Sequence, residues 1–395
     1  MAPIIISKPD SSPRDGPVAL SDFAVIASYN WLDEPQPTIL VPGMPAIWSP
    51  PLEIQALKPD SGTRYVDQNA DRMPCSPLEP LLRAVQTHRP GFDLSELDIV
   101  CDRRPLRLLH GFMVGDQEAF QFGVEAVGNT TVFTRAERTS RETIAPNTFA
   151  GYRASFEEAY TKLHPDAKGS TSHYRIVTYT LGGLKLLVRS GVDAYRPSAV
   201  GEHLNEPSGS DYSQEDCTRN MKNLSLNEGP STSAASTAGE LLVIKGGRDV
   251  PQAAVLELST HAHLKPSAIH RKITGLYFSQ TPCFVEGSFI STGPRYNVSA
   301  QRARFGLVAV NDVTKWTAQW EKQHQDKLKT LVHVLKQIVS GARTLGKPCV
   351  VKFDGVGDLR LERAGDEDIP SLSEKWKEVL LRGQQVQPRA YRDAC

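Results

Sequence analysis

The stretch SHYRIVTYTLGGLKLLVRSGVDAY, residues 172–195, limits the fold of this chain more than any other. Two runs rich in Val, Thr, Tyr, Ile and Leu flank Leu181-Gly182-Gly183. Paired glycines supply the positive-φ positions that a tight turn between antiparallel strands needs, so the stretch reads as a hairpin. A lone hairpin is barely stable in water and must find neighbours. The rest of the chain offers them. Phe120, Phe122, Val124 and Ala126 alternate along one face, and a GN turn leads to a second strand, Thr131 to Thr134. Leu97 to Cys101, ELLVIKG, PQAAVLELST, CFVEGSFI, RFGLVAVND and PCVVKFDG read as further strands.

Helices are fewer. SPLEPLLRAVQTH is a short one with Ser76 as its cap, and Arg104 to Phe112 is another. Residues 149–163 place Phe156, Tyr160 and Leu163 on one side, and ITGLYFSQ is a helix running into a strand. Residues 316–340 form the longest, with Leu328, Leu331, Val332, Leu335, Ile338 and Val339 at helical spacing. Strands outnumber helices and the order is mixed, so the expected class is α/β (α+β): a mixed central β-sheet flanked by helices. Residues 1–20 are rich in Pro, Ser and Asp and read as a flexible N-terminal tail. Residues 21–365 read as a single domain, because the early strands need partners and no linker follows them. A mobile insertion is expected at 196–240, where Ser, Thr, Asn, Gly and Glu crowd out large apolar groups, and a polar C-terminal tail at 366–395.

Several function classes are excluded. Lys plus Arg number 45 and Asp plus Glu number 45, so the chain is not coated with positive charge, although one face can still be basic. The six cysteines, at 75, 101, 217, 283, 349 and 395, include no CxxC pair, which argues against a zinc knuckle or a disulfide framework. The expected setting is intracellular, nuclear or cytoplasmic. No apolar run approaches the roughly 18 residues of a membrane span, so no membrane partner is expected. There is no phosphate-binding GxxxxGK[ST] loop, no GxSxG elbow and no Asp-Asp pair of the kind that holds magnesium on a diphosphate.

The chemistry-bearing residues are acids at the ends of ordered segments. Glu157 lies on the helix before the hairpin, Asp193 ends LKLLVRSGVD, and Glu257 ends AVLE. Singly, each reads equally as a solvated strand end. Together, on adjacent strands, they would form the carboxylate cluster that hard divalent cations require. Arg135, Arg175 and Arg189 close or line strands nearby and are candidate phosphate contacts. Tyr29 and Trp31 read either as base-stacking groups or as core. His261-x-His263 offers a transition-metal alternative.

The order of these acids carries a resemblance. GYRASFEE (151–158), SGVDAY (190–195), LELST (256–260) and LYFSQTPCFVEG (276–287), taken in sequence, resemble the eukaryotic decapping exonucleases, the cap-surveillance branch of the PD-(D/E)XK nuclease superfamily. The resemblance covers about half of the chain, residues 149–355. It implies a PD-(D/E)XK nuclease-like fold, a metal-dependent RNA 5′-end hydrolase, Mg2+ or Mn2+ as cofactor, RNA as partner, Glu157, Asp193 and Glu257 as metal ligands, and Gln280 beside phosphate or water. Two departures stand out. Gly191 occupies the place of a metal-binding Glu, and Ser259 that of the catalytic Lys. Ser cannot supply a positive charge, and loss of one such preorganised group typically costs about a hundredfold to a thousandfold in rate. Lys185 or Lys245 could reach in as a replacement. Two readings stay open: a divergent hydrolase with weakened or lost activity, or an inactive nuclease fold kept as an RNA-binding or protein-interaction module.

Overall fold

The computed structural model describes residues 2–9, 16–200, 240–294, 296–365, 370 and 372–382. The hairpin forms as the sequence dictates: Ser170–Leu181 pairs antiparallel with Leu184–Gly191 around Gly182 and Gly183, both at positive φ. It sits within an eleven-stranded mixed sheet. In spatial order the strands are Ile4–Ile6, Leu359–Arg363, Cys349–Phe353, Phe120–Val127, Thr130–Arg135, Ile99–Asp102, Leu184–Gly191, Ser170–Leu181, Leu20–Leu32, Thr38–Gly43 and Leu242–Gly247. Ile99–Asp102 runs parallel to both of its neighbours, and most other pairs are antiparallel.

The centre of this sheet is buried on both faces, which explains why Ile99 to Cys101 reads as an unbroken apolar run. Ile99 and Cys101 enter one core, and Val100 between them enters the other. Val188 and Leu187 divide in the same way, as do Val177 and Ile176. On the first face lies the helix Gln325–Leu345, packing Val334, Leu335 and Ile338 against Phe122 and Val351. On the second lie the helices Glu79–His88 and Glu374–Arg382, which bring Leu81, Leu82 and Trp376.

A second, seven-stranded sheet has the order Thr161–Lys162, Ala46–Trp48, Ala194–Tyr195, Val255–Ala262, Cys283–Thr292, Arg302–Asp312 and Ala56–Leu57. Its own core joins Leu256, Leu258, Val285, Phe289 and Phe305 to Phe156 and Tyr160 of the helix Arg153–Tyr160. The chain passes from the large sheet to the small one over Val192 and Asp193, between Gly191 and Ala194.

Three sequence expectations change. Ile4–Ile6, read as tail, adds an edge strand to Leu359–Arg363 because three consecutive isoleucines suit a half-buried pleat. The single long helix is two, Thr314–Gln323 and Gln325–Leu345, broken at His324, whose φ of −107° and ψ of 23° leave the helical region. The C-terminal helix is docked rather than trailing: Trp376 is fully buried, and its indole N–H donates to Glu79. The early strands complete the large sheet, since Leu20–Leu32 pairs along Ser170–Leu181. Most of the expected mobile insertion, residues 201–239, and the end of the expected C-terminal tail, residues 383–395, lie outside the described residues. Among the described residues no helix is long and apolar enough to cross a membrane.

Candidate functional site

Position 193 is fixed by the change of sheet. Ala194 pairs with Leu256 in the small sheet, so Asp193 lies beside the centre of Val255–Ala262. Its Oδ2 accepts the Leu258 N–H at 2.7 Å. Along that strand Leu256 and Leu258 enter the apolar core, and the pleat turns Glu257 the other way. Glu257 is only 6% exposed.

Glu157 is carried by the helix Arg153–Tyr160, whose start is capped from afar. Asp60 accepts the N–H groups of Ala154 and Ser155 at 3.2 and 3.0 Å, covering donors that a helix leaves open. Phe156 and Tyr160 stack at 4.1 Å between centroids and seat the helix on the small sheet. Gly287 makes this seat, since a Cβ there would come within 2.8 Å of the Phe156 ring. Glu157 is partly buried and Glu158 exposed, so Glu157 is the acid turned toward Asp193.

The three acids therefore reach one another electrostatically, but basic side chains lie among them. Arg153 Nη2 lies 3.2 and 3.1 Å from the two carboxylate oxygens of Asp193. Arg103, first residue of the helix Arg103–Val114, pairs with Glu257 Oε2 at 3.1 Å. Lys272, on the helix Ile269–Ser279, pairs with Glu257 Oε1 at 3.1 Å. That helix is held in place by Glu286, which accepts from Ser267 Oγ at 2.7 Å and from the Ala268 N–H. Arg107 adds a further cation over Gly275, where a Cβ would lie 3.4 Å from its Cδ.

The charges follow from this geometry. Burial alone would raise the Glu257 carboxyl, but Arg103 and then Lys272 hold it well below the usual carboxylate range. Asp193 keeps Arg153 firmly charged. Glu157 has no ion-pair partner among the described residues; burial and then the Asp193 charge push it up to about 8. Its folded pKa thus lies above its unfolded one, near 4.5. The folded state holds the extra proton between those values, so stability falls as pH rises from about 4.5 toward 8. Glu157→Gln is expected to flatten that slope and to raise stability near pH 8 by roughly 1–3 kcal/mol; urea unfolding at pH 5, 6.5 and 8 measures both.

The other sequence candidates lie elsewhere. Gln280 ends its helix in the left-handed region at φ 51° and turns its amide back onto the Tyr277 carbonyl at 2.7 Å. It terminates a helix, and its side-chain amide is spent on that carbonyl. Arg175 and Arg189 do not line a groove. Arg175 is 2% exposed and donates to the Val250 carbonyl at 2.8 Å and to Gln252 at 3.0 Å; burial lowers its pKa to about 10. Arg189, 1% exposed, is held bidentately by Asp102 at 2.6 and 2.9 Å and donates to Tyr29 Oη and the Pro77 carbonyl. Arg135 is committed to Glu137, Asp67 and the Val66 carbonyl. Tyr29 and Trp31 are core residues, both donating to Asn69 Oδ1. Lys185 pairs with Glu96, and Lys245 is exposed on the edge strand of the large sheet. His261 faces Glu286 at 3.2 Å, and His263 faces Ser288 Oγ at 3.2 Å.

Sequence reasoning missed Arg103, Arg153 and Lys272. Arg153 carried a signal, four residues before Glu157 and so on the same helix face. The other two come from distant elements and had none.

Residues 4–357 match one family, described as "Domain of unknown function (DUF8563)". The chain belongs to that family. No curated protein matches this DUF8563 chain in sequence. Its fold is similar to that of Rai1. The Scheffersomyces stipitis Rai1 structure, in complex with (3'-NADP)+ and calcium ion, matches with a TM-score of 0.58 and 13% identity, over 96% of this chain and 100% of that one. S. pombe Rai1 matches with a TM-score of 0.56 and 12% identity, over 92% and 100%. Candida albicans Rai1, in complex with pU5-Mn2+, matches with a TM-score of 0.55 and 12% identity, over 98% and 97%. The DUF8563 chain thus shares the Rai1 fold, mixed sheets flanked by helices.

The Candida albicans and Scheffersomyces stipitis Rai1 complexes hold a divalent ion, and the donor set here can be tested against one. Oxygens of Asp and Glu are suitable hard ligands. Here both oxygens of Asp193 and both of Glu257 already face a guanidinium or ammonium group. Among the described residues no three His, Cys, Asp or Glu side chains converge as a metal-binding group. Gly191, where another ligand would stand, has only a carbonyl 3.9 Å from an added Cβ: room, but no donor. The arrangement does not fit a divalent ion.

Proposed function

We propose that this chain binds the phosphorylated 5′ end of RNA in a decapping-type nuclease fold and hydrolyses it very slowly or not at all. The observation that carries this reading is the pairing of Asp193 with Arg153 and of Glu257 with Arg103 and Lys272. A hydrolytic centre of this kind needs carboxylates free to hold a metal ion, and these are taken. Arg103 and Lys272 meet at Glu257, Arg107 lies with Arg103 over Gly275, and Arg153 stands at Asp193, so an anionic ligand finds guanidinium and ammonium donors there. The Candida albicans Rai1 complex with pU5-Mn2+ supports RNA as the class of ligand.

Fluorescence anisotropy with 5′-phosphorylated and 5′-hydroxyl oligoribonucleotides tests the binding. The phosphorylated form is expected to bind about tenfold or more tightly, one strong charge-assisted contact being worth some 1.5–3 kcal/mol. Equal affinity, or none, removes RNA 5′ ends as the ligand and leaves a protein-interaction module. Incubation with 5′-triphosphate and capped RNA in Mg2+ or Mn2+ is expected to give no product above background.

One observation favours the other reading, an active Mg2+- or Mn2+-dependent hydrolase using Glu157, Asp193 and Glu257. Lys272 stands beside Glu257 and could take over the part of the lysine missing at Ser259. Turnover abolished by Asp193→Ala, Glu257→Ala and Lys272→Ala would establish it.

A further inference from the structure

We propose that Arg103, Arg153 and Lys272 together replace a divalent cation as tethered counter-ions, so that the acid cluster is held together without metal. This goes beyond RNA binding and holds with or without a nucleic-acid ligand. Two carboxylates, Asp193 and Glu257, are paired with three cations that come from three different helices, and Glu157 stands close by without an ion-pair partner among the described residues. A free ion must be captured from solution, whereas these are delivered by folding.

Each tether is positioned by its own element. Arg103 is the first helical residue after the central strand Ile99–Asp102, and it also donates to Ser279 Oγ at 3.3 Å. Arg153 opens the helix capped by Asp60 and seated by Phe156. Lys272 rides on the helix anchored by Glu286. A divalent ion and these cations would compete for the same oxygens, since carboxylates that face one another need positive charge between them. It follows that metal should become useful once the tethers are cut.

The test is metal rescue, read by thermal unfolding and calorimetry. For the wild-type chain, Mn2+ at 1 mM and EDTA are expected to give melting temperatures within about 1 °C of each other, with no saturable Mn2+ uptake. Arg153→Gln/Lys272→Gln is expected to melt several degrees lower in EDTA. Mn2+ should restore at least half of that loss, whereas NaCl of equal ionic strength should not. Its Mn2+ affinity should exceed that of the wild type by about tenfold or more. Adding Glu257→Gln should abolish the rescue. The single variants Lys272→Gln and Arg153→Gln give the same calorimetric readout should the double variant not fold.

Wild-type stabilisation by Mn2+ equal to that of the variant would overturn the proposal. So would folded variants that take up no more Mn2+ than the wild type. Failure of phosphorylated RNA to bind, with rescue intact, sinks the RNA reading alone.

Discussion

Replacing Arg189 with Ala is expected to cost about 3–5 kcal/mol of folding stability, the usual penalty for breaking a buried ion pair on one side. The guanidinium is fully buried and makes four hydrogen bonds, two to Asp102 at 2.6 and 2.9 Å, one to Tyr29 Oη and one to the Pro77 carbonyl. Removing it strands the Asp102 carboxylate in the middle of the large sheet, next to the start of the helix that carries Arg103. Equilibrium urea unfolding measures the loss. Arg189→Met/Asp102→Leu, which removes both charges, is expected to recover most of it, because well-packed apolar groups often match or exceed a buried pair. A phosphate-binding arginine would behave differently: its truncation would weaken RNA affinity and leave stability nearly unchanged.

The second large effect is expected at Glu257. Ala in its place leaves Arg103 and Lys272 beside each other without the anion between them, a loss of about 2–4 kcal/mol. Glu257→Gln keeps the shape and one acceptor and should lose less. The pH dependence gives a separate signature. The folded-state pKa of Glu257 is depressed, so its contribution is present above the unfolded value near 4.5 and is lost as pH falls through the folded one. Wild-type stability should therefore drop on acidification below about pH 4.5 more steeply than that of Glu257→Gln. Urea midpoints at pH 7, 5 and 3.5 decide it, and parallel curves would mean that the pairing contributes nothing. The slope is opposite to the one expected from Glu157, so the two acids can be separated in one titration series.

Much of the architecture was legible because it rests on local periodicity. The Gly182-Gly183 turn, the alternation from Phe120 to Ala126 and the apolar stripe from Leu328 to Val339 each specify an element without help from the rest of the chain. The edge strand Ile4–Ile6 was not legible, since its partner lies more than 350 residues away and three residues carry no period. At the site, the order of Glu157, Asp193 and Glu257 could be read, and so could their approach. Their occupancy could not. Whether a carboxylate is open or paired depends on which helices pack beside it, and Arg103 and Lys272 reach Glu257 across 154 and 15 residues. Arg175 and Arg189 show the reverse error: strand-end arginines look solvent-facing in sequence, but a sheet covered on both sides turns such positions inward.

The Gly191-to-Ala194 crossing has a mechanical consequence. The two-residue bridge of Val192 and Asp193 joins the two β layers, and the Asp193 carboxylate clamps its far end to the Leu258 amide. Shear along this crossing pulls on that acid, and a ligand that draws Asp193 off the amide slackens this link between the layers.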